Sequence, residues 1–217
     1  MREIQAAIFD LDGTLLDSMG VWAQIDVDFL GNHGIPVTDD YVKAVTSMGF
    51  REAAEYTIGR YGFSQSTEEI MDEWNQMCRN AYEHAIVLKP HAKETLSRLR
   101  QSGVKLGVAT ALRPDLYVPA LQRNGVYAWF DAFVSLQEVQ RGKGFPDIYL
   151  LAAQRLGMEP CRCMVFEDIL AGILGAKAGG FHTCGVYDES SAHDWAKIRA
   201  AADRTLVAYD AHGALSF

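Results

Sequence analysis

Short, unbroken apolar runs alternate with stretches of helical periodicity along most of this chain, and that alternation constrains its fold more than any other feature. Ile4 to Phe9, Val104 to Ala109, Met164-Val-Phe166 and Phe181 to Val186 are too short for helices and carry little polar alternation. Such runs suit strands buried on both faces, as in a parallel sheet. Phe133-Val-Ser135 and Thr205-Leu-Val207 read as two further short strands. Between them the spacing predicts helices. Ala92, Leu96 and Leu99 mark one that stops near Gly103, and Pro114 opens another that runs to Asn124. Pro146 opens a third through Leu156 with Gly157 at its end, Ala171 to Ala178 is a fourth, and residues 190–202 are a fifth. Strands separated by helices imply an α/β fold.

One segment breaks the alternation. Trp22, Ile25 and Phe29 recur at helical spacing, as do Ala54, Ile58 and Tyr61, and then Ile70, Trp74, Met77 and Ala81. Ser66-Thr-Glu-Glu69 has the form of a capping box opening the last of these helices, and Gly34-Ile-Pro36 and Gly62-Phe-Ser64 are the breaks between them. Residues 18–87 therefore read as a helical insert without a strand of its own, with Trp22, Trp74 and Met77 in its core. Residues 1–17 and 88–217 form one discontinuous α/β core. The insert follows the carboxyl end of the first strand, where open α/β sheets place their ligands, and that position suits a lid.

With 49 % hydrophobic and 22 % charged residues, the chain can bury enough apolar surface to offset its ordering entropy. Its 28 acidic against 20 basic residues argue against nucleic acid as a partner, because affinity for phosphate backbones comes from Lys and Arg. Met1 to Gln5 lead into an apolar stretch that meets Asp10 within a few positions, which is neither a signal peptide nor a membrane span. Cys78, Cys161, Cys163 and Cys184 have no disulfide-framework spacing and are expected to be reduced. The chain reads as cytoplasmic.

The first strand ends in Asp10-Leu-Asp-Gly-Thr14. Two residues apart in extended chain, the Asp10 and Asp12 side chains project to the same side, and Gly13 permits the sharp turn that follows. Carboxylates so close repel unless a cation or a proton separates them. One carboxylate on a metal and one carboxyl holding a proton would resolve the conflict, and a bare turn would need neither.

Phe9 to Ser18 resembles the first motif of the haloacid dehalogenase-like superfamily, in its phosphotransferase branch. The resemblance implies that Asp10 attacks phosphorus and that Asp12 gives a proton to the leaving group; true dehalogenases usually lack the second Asp. The other motifs follow in order. Thr110, closing Val108-Ala-Thr110, resembles the second, whose hydroxyl binds the phosphoryl group. Lys143, in Arg141-Gly-Lys-Gly-Phe-Pro-Asp-Ile-Tyr149, matches the third, although Gly144 stands where Pro often follows. Val165-Phe-Glu-Asp168, with Gly172-Ile173 and Ala176-Lys-Ala-Gly179 behind it, resembles the fourth, with Ile169 in place of a frequent Ser.

The resemblance covers almost the whole chain. It implies a Rossmann-like parallel-sheet core with an inserted helical-bundle cap like that of β-phosphoglucomutases and phosphoglycolate phosphatases. It further implies Mg²⁺ held by Asp10, Asp12 (through its backbone carbonyl) and Asp168, hard oxygen donors of the kind that cation prefers, with Glu167 alongside as a water-mediated partner. Gly13, Ala111 and, from the cap, Arg51 are the expected substrate contacts. His91 replaces a common Gly and is expected to cap a helix. Gly175 and Gly179 are expected to serve close packing of a helix on the sheet. The expected activity is Mg²⁺-dependent hydrolysis of a small phosphomonoester, a phosphorylated metabolite such as a sugar phosphate, by a monomer. The sugar mutases typically carry a His soon after the first motif, whereas Ser18-Met-Gly-Val-Trp22 has none; a β-phosphoglucomutase-like activity is thus the alternative. A non-catalytic phosphosugar-binding protein ranks behind it, because the motif residues are intact.

Overall fold

The computed structural model describes residues 4–45 and 48–210, and the chain divides into two compact units, Met1–Met19 with Ile86–Phe217, and Gly20–Ala85. In the first unit β1 (Ala6–Phe9) is followed by β2 (Leu16–Asp17). The chain then enters the second unit, which contains α1 (Val21–Asn32), α2 (Asp39–Val45), α3 (Phe50–Tyr61) and α4 (Thr67–His84), and returns through β3 (Val87–Leu88). Then come α5 (Ala92–Gln101), β4 (Lys105–Thr110), α6 (Pro114–Arg123), β5 (Ala132–Ser135), α7 (Asp147–Leu156), β6 (Cys163–Glu167), α8 (Leu170–Ala178), β7 (His182–Val186), α9 (Trp195–Ala201) and β8 (Arg204–Leu206). Residues 189–194, expected to be regular helix, form a 3₁₀ segment that leads into α9.

Six strands make one parallel sheet in the order β5-β4-β1-β6-β7-β8. By sequence rank within the sheet this is 3-2-1-4-5-6, the order of a Rossmann-like fold, and it reverses direction between β1 and β6. Phe9 pairs with Val108 on one side and Phe166 on the other, so β4, β1 and β6 end at one edge of the sheet. The apolar runs are strands because both of their faces are covered: all four residues of β1 and all five of β6 are buried. The Phe9 and Phe166 rings stack with centroids 4.3 Å apart. On one face Ile148, Tyr149, Ala152, Ala153 and Leu156 of α7 close over Ile8 and Val165.

β2 and β3 form a separate two-residue antiparallel ribbon, Leu16 opposite Leu88 and Asp17 opposite Val87. The expectation of an insert without a strand through residue 87 is corrected at Val87: two paired residues are too few to leave a periodic signal. The four cysteines are free. Among the described residues no helix is long and apolar enough to cross a membrane.

In the second unit the Ser66 capping box is formed in both directions, Glu69 N–H to Ser66 Oγ and Ser66 N–H to Glu69 Oε2, and Gly62 ends α3 in the left-handed region. Phe29, Ile70 and Trp74 are buried. Trp22 is not, at 45 % exposure, because Val21, Ile25 and Phe29 hold the covered stripe of α1 and Trp22 lies one residue off it. α2 carries no such stripe; of its described side chains Tyr41 is buried, too little for a periodic pattern.

His91 is the one non-glycine residue with positive φ among those described, +61°, and its side chain makes no capping hydrogen bond to α5, contrary to expectation. A side chain in the left-handed region costs roughly 1–2 kcal/mol, part of which glycine returns as unfolded-state entropy. His91→Gly should therefore raise stability by about 1 kcal/mol, read as a higher urea midpoint with an unchanged slope.

Candidate active site

The strand edge between β1 and β6 gathers four charged side chains out of water. Asp10 follows the last residue of β1, and its amide donates to the Phe166 carbonyl at 3.0 Å, which ties it to the strand bearing Glu167. Glu167 closes β6 and Asp168 follows it. Lys143 comes from the loop before α7. All four are buried, Glu167 completely.

The Lys143 ammonium contacts Asp10 Oδ1 and lies 2.7 Å from Glu167 Oε1. Burial penalises that ammonium, but the Asp10 and Glu167 carboxylates beside it outweigh the penalty and raise the pKa, so the amine stays charged. Glu167 is pushed up by burial, against the pull of Lys143, with Asp10 and Asp168 adding to the rise. Asp168 is pushed up by burial and then by Asp10, against Lys143 and a hydrogen bond from Thr14. Tyr149 donates its hydroxyl to Glu167 Oε1 at 2.8 Å; burial and the Glu167 charge hold that phenol well above its ordinary pKa, so it remains a donor. Oε1 thus receives two donors. Oε2 is buried with no hydrogen-bond partner among the described residues.

Ionised together, three carboxylates against one ammonium would leave two negative charges uncompensated, and without a cation that repulsion, added to burial, pushes Glu167 and Asp168 up. One oxygen each from Asp10, Glu167 and Asp168 lies within 4.8 Å of the others, a set of hard oxygen donors. The orphaned buried Oε2, the repulsion among the three carboxyls and the all-oxygen donor set fit a divalent cation such as Mg²⁺.

Three glycines make room for this cluster. Gly13 has φ +72°, and a Cβ there would lie 2.5 Å from Asp168 Oδ2. On α8, a Cβ at Gly172 would lie 2.5 Å from the Glu167 carboxyl carbon, and one at Gly175 would lie 2.0 Å from the Lys143 carbonyl oxygen. Gly175 therefore seats the helix against the Lys143 loop, and Gly179 faces Pro146 and Phe181. The expected packing of these two glycines on the sheet is corrected to packing largely on that loop.

Asp12 is half-buried and accepts a hydrogen bond from the Ser18 hydroxyl at 2.6 Å. Thr110 ends β4, buried, and its hydroxyl oxygen accepts from the Leu112 amide at 3.1 Å. Ala111 is exposed beside it. Arg51 belongs to the helical unit, where it pairs with Glu68 at 2.9 Å. Ile169 occupies the N-cap of α8 without a side-chain cap, the missing hydrogen bond that its substitution for Ser implies. Three residues around the site are not singled out by the sequence. Thr14 and Ser18 stand in the first motif without an assigned role, and Tyr149 stands in the third.

A family model for haloacid dehalogenase-like hydrolases matches residues 4–180. The chain is 32 % identical over 206 residues to validoxylamine A 7'-phosphate phosphatase of Streptomyces hygroscopicus subsp. limoneus, covering 93 % of this chain and 92 % of that one. It is 26 % identical over 180 residues to hexitol phosphatase B of Escherichia coli strain K12, covering 82 % and 81 %. The crystal structure of a suggested β-phosphoglucomutase from Thermotoga maritima superposes with a TM-score of 0.82 at 25 % identity, over 94 % of each chain. The fold and these matches together define a hydrolase with a Rossmann-like core. The chain belongs to the haloacid dehalogenase-like hydrolase family, and within it is a phosphomonoester hydrolase.

Proposed function

We propose that this chain is a Mg²⁺-dependent phosphatase of phosphorylated sugars or polyols that works through an aspartyl-phosphate on Asp10. The observation that carries the reading is the buried Asp10 carboxylate at the β1/β6 switch point, held by Lys143 beside Glu167 and Asp168. An Asp10 oxygen attacks phosphorus, the bond from phosphorus to the ester oxygen breaks, and Asp12 protonates the departing alcohol. Asp12 then takes a proton from water as that water attacks phosphorus. The bond to Asp10 breaks, inorganic phosphate leaves, and the Asp10 carboxylate and the Asp12 proton are both restored.

The hydrogen bond from Ser18 orients the Asp12 carboxyl for both transfers. Thr110 accepts from Leu112 through a lone pair, which leaves its O–H to donate to a phosphoryl oxygen. Lys143 places a fixed positive charge beside the group in transfer, where charge spreads over the equatorial oxygens. Asp10, Glu167 and Asp168, with the Asp12 backbone, would hold Mg²⁺, which when bound neutralises phosphoryl charge. Gly13 and Ala111 line the same loops as Asp12 and Thr110, and Arg51 of the helical unit is proposed as a further substrate contact. Names of the curated relatives support hydrolysis of a sugar-like phosphate.

The test is a panel of hexose and hexitol phosphates at fixed Mg²⁺, with inorganic phosphate as the readout. Stoichiometric phosphate release is expected, falling to background in EDTA. β-Glucose 1-phosphate with glucose 1,6-bisphosphate separates the alternative. Glucose 6-phosphate accumulating without matching inorganic phosphate would establish a mutase and overturn hydrolysis.

A further inference from the structure

After β8 the chain does not leave the core. Tyr209 is 4 % exposed and donates its hydroxyl to the backbone carbonyl of Thr14 at 3.1 Å, a contact between residues 195 positions apart. Arg98 of α5 fixes the next residue, donating from Nη2 to the Asp210 carbonyl at 2.6 Å. Thr14 is itself fully buried, and its side chain donates to Asp168 Oδ1 at 3.0 Å. One residue of the catalytic loop therefore joins three parts of the core. Its backbone follows Asp10, Asp12 and Gly13, its hydroxyl holds a candidate metal carboxylate, and its carbonyl is held by the segment after β8.

We propose that Tyr209 is a positioning residue of the active site, through which the C-terminal segment holds the Asp10–Ser18 loop and the Asp168 carboxylate in register. Tyr209 touches neither substrate nor metal and acts through Thr14. Burial, with Cys184, Asp168 and Asp10 nearby, holds its phenol well above the ordinary pKa, so the donor is present at all working pH values. Without that donor the Thr14 carbonyl is left buried and unsatisfied, and the cheapest relief is a shift of the loop toward another partner. Thr14 stands one step behind the Asp168 carboxylate, where loss of a partner typically costs about 10- to 100-fold in metal affinity or activity; Tyr209 stands one step further, which sets its expected effect at the low end.

The proposal rests on the hydrolytic reading of the site, and two readouts separate it from that reading because neither needs turnover. Tyr209→Phe keeps the ring and removes the hydroxyl. Mn²⁺ binding followed by electron paramagnetic resonance is expected to weaken roughly tenfold. Amide exchange in a peptide spanning residues 8–18 is expected to quicken at least about tenfold, while peptides from β4 and β6 keep wild-type protection. If the wild type hydrolyses sugar phosphates, kcat should fall in Tyr209→Phe with KM little changed. Failure of hydrolysis in the wild type sinks the functional reading and leaves the binding and exchange results standing. Unchanged Mn²⁺ affinity and loop exchange in Tyr209→Phe overturn the proposal, as does faster exchange spread equally over all peptides. Should Tyr209→Phe fail to fold, Arg98→Met loosens the same segment from outside. It is expected to shift Mn²⁺ affinity in the same direction by a smaller factor, and wild-type affinity there overturns the proposal.

Discussion

Asp10→Asn should lose at least about 10⁴-fold of the turnover of p-nitrophenyl phosphate while keeping the fold. An amide oxygen is a poor nucleophile toward phosphorus, and no neighbour in the cluster can replace it without moving: Glu167 is clamped by Lys143 and Tyr149, and Asp168 by Thr14. A loss of that size corresponds to about 5.5 kcal/mol of transition-state stabilisation. The folded state should behave differently. The substituted amide keeps an oxygen for Lys143 and removes a charge that repels Glu167 and Asp168 in a buried site, so the metal-free variant should unfold no earlier than wild type. Added Mg²⁺ should raise its midpoint less than that of wild type, because one charged ligand is gone. Undiminished turnover would remove Asp10 as the nucleophile.

The residues that can be read from the sequence are those whose chemistry sits at strand ends. β1 and β6 are legible because burial on both faces makes them unbroken apolar runs, and Asp10, Glu167 and Asp168 stand out as the charges that end them. Lys143 is legible from its place between two glycines, although only the structure shows it bridging Asp10 and Glu167. What periodicity cannot carry is pairing across the chain. Tyr149 occupies an apolar position of α7 beside Ile148 and Ala152, and nothing in that spacing says that its hydroxyl meets Glu167. Tyr209 lies beyond β8 and reaches the Thr14 carbonyl 195 positions away. Helical spacing likewise marks Trp22 without telling which stripe of α1 is covered; Val21 one position earlier is the buried residue. Hydrogen-bond partners and covered faces are set by tertiary packing, and a single sequence records them only where local pattern and packing coincide.

Lys143→Met tests the charge balance from the opposite side. Methionine fills much of the lysine volume but leaves Asp10, Glu167 and Asp168 facing one another without the one positive charge that opposes the rise of Glu167 and Asp168. Removing one partner of a buried ion pair costs about 3 kcal/mol or more, since the remaining charges stay desolvated. In EDTA the variant should therefore unfold at clearly lower denaturant than wild type, whereas Asp10→Asn should not. Saturating Mg²⁺ should restore part of the loss, because binding to the folded state alone contributes about 2.7 kcal/mol at a hundredfold excess over Kd. Turnover should not return with it. The cation beside the transferring phosphoryl group is still missing, and loss of one such group typically costs about 10²–10³ in kcat. Wild-type stability of Lys143→Met in EDTA would mean that the carboxylates share protons rather than lean on the lysine, and the case for a divalent cation at this site would lose its electrostatic basis. Loss of stability in Lys143→Met but not in Asp10→Asn, each with turnover lost, would tie metal affinity and catalysis to the same four buried groups.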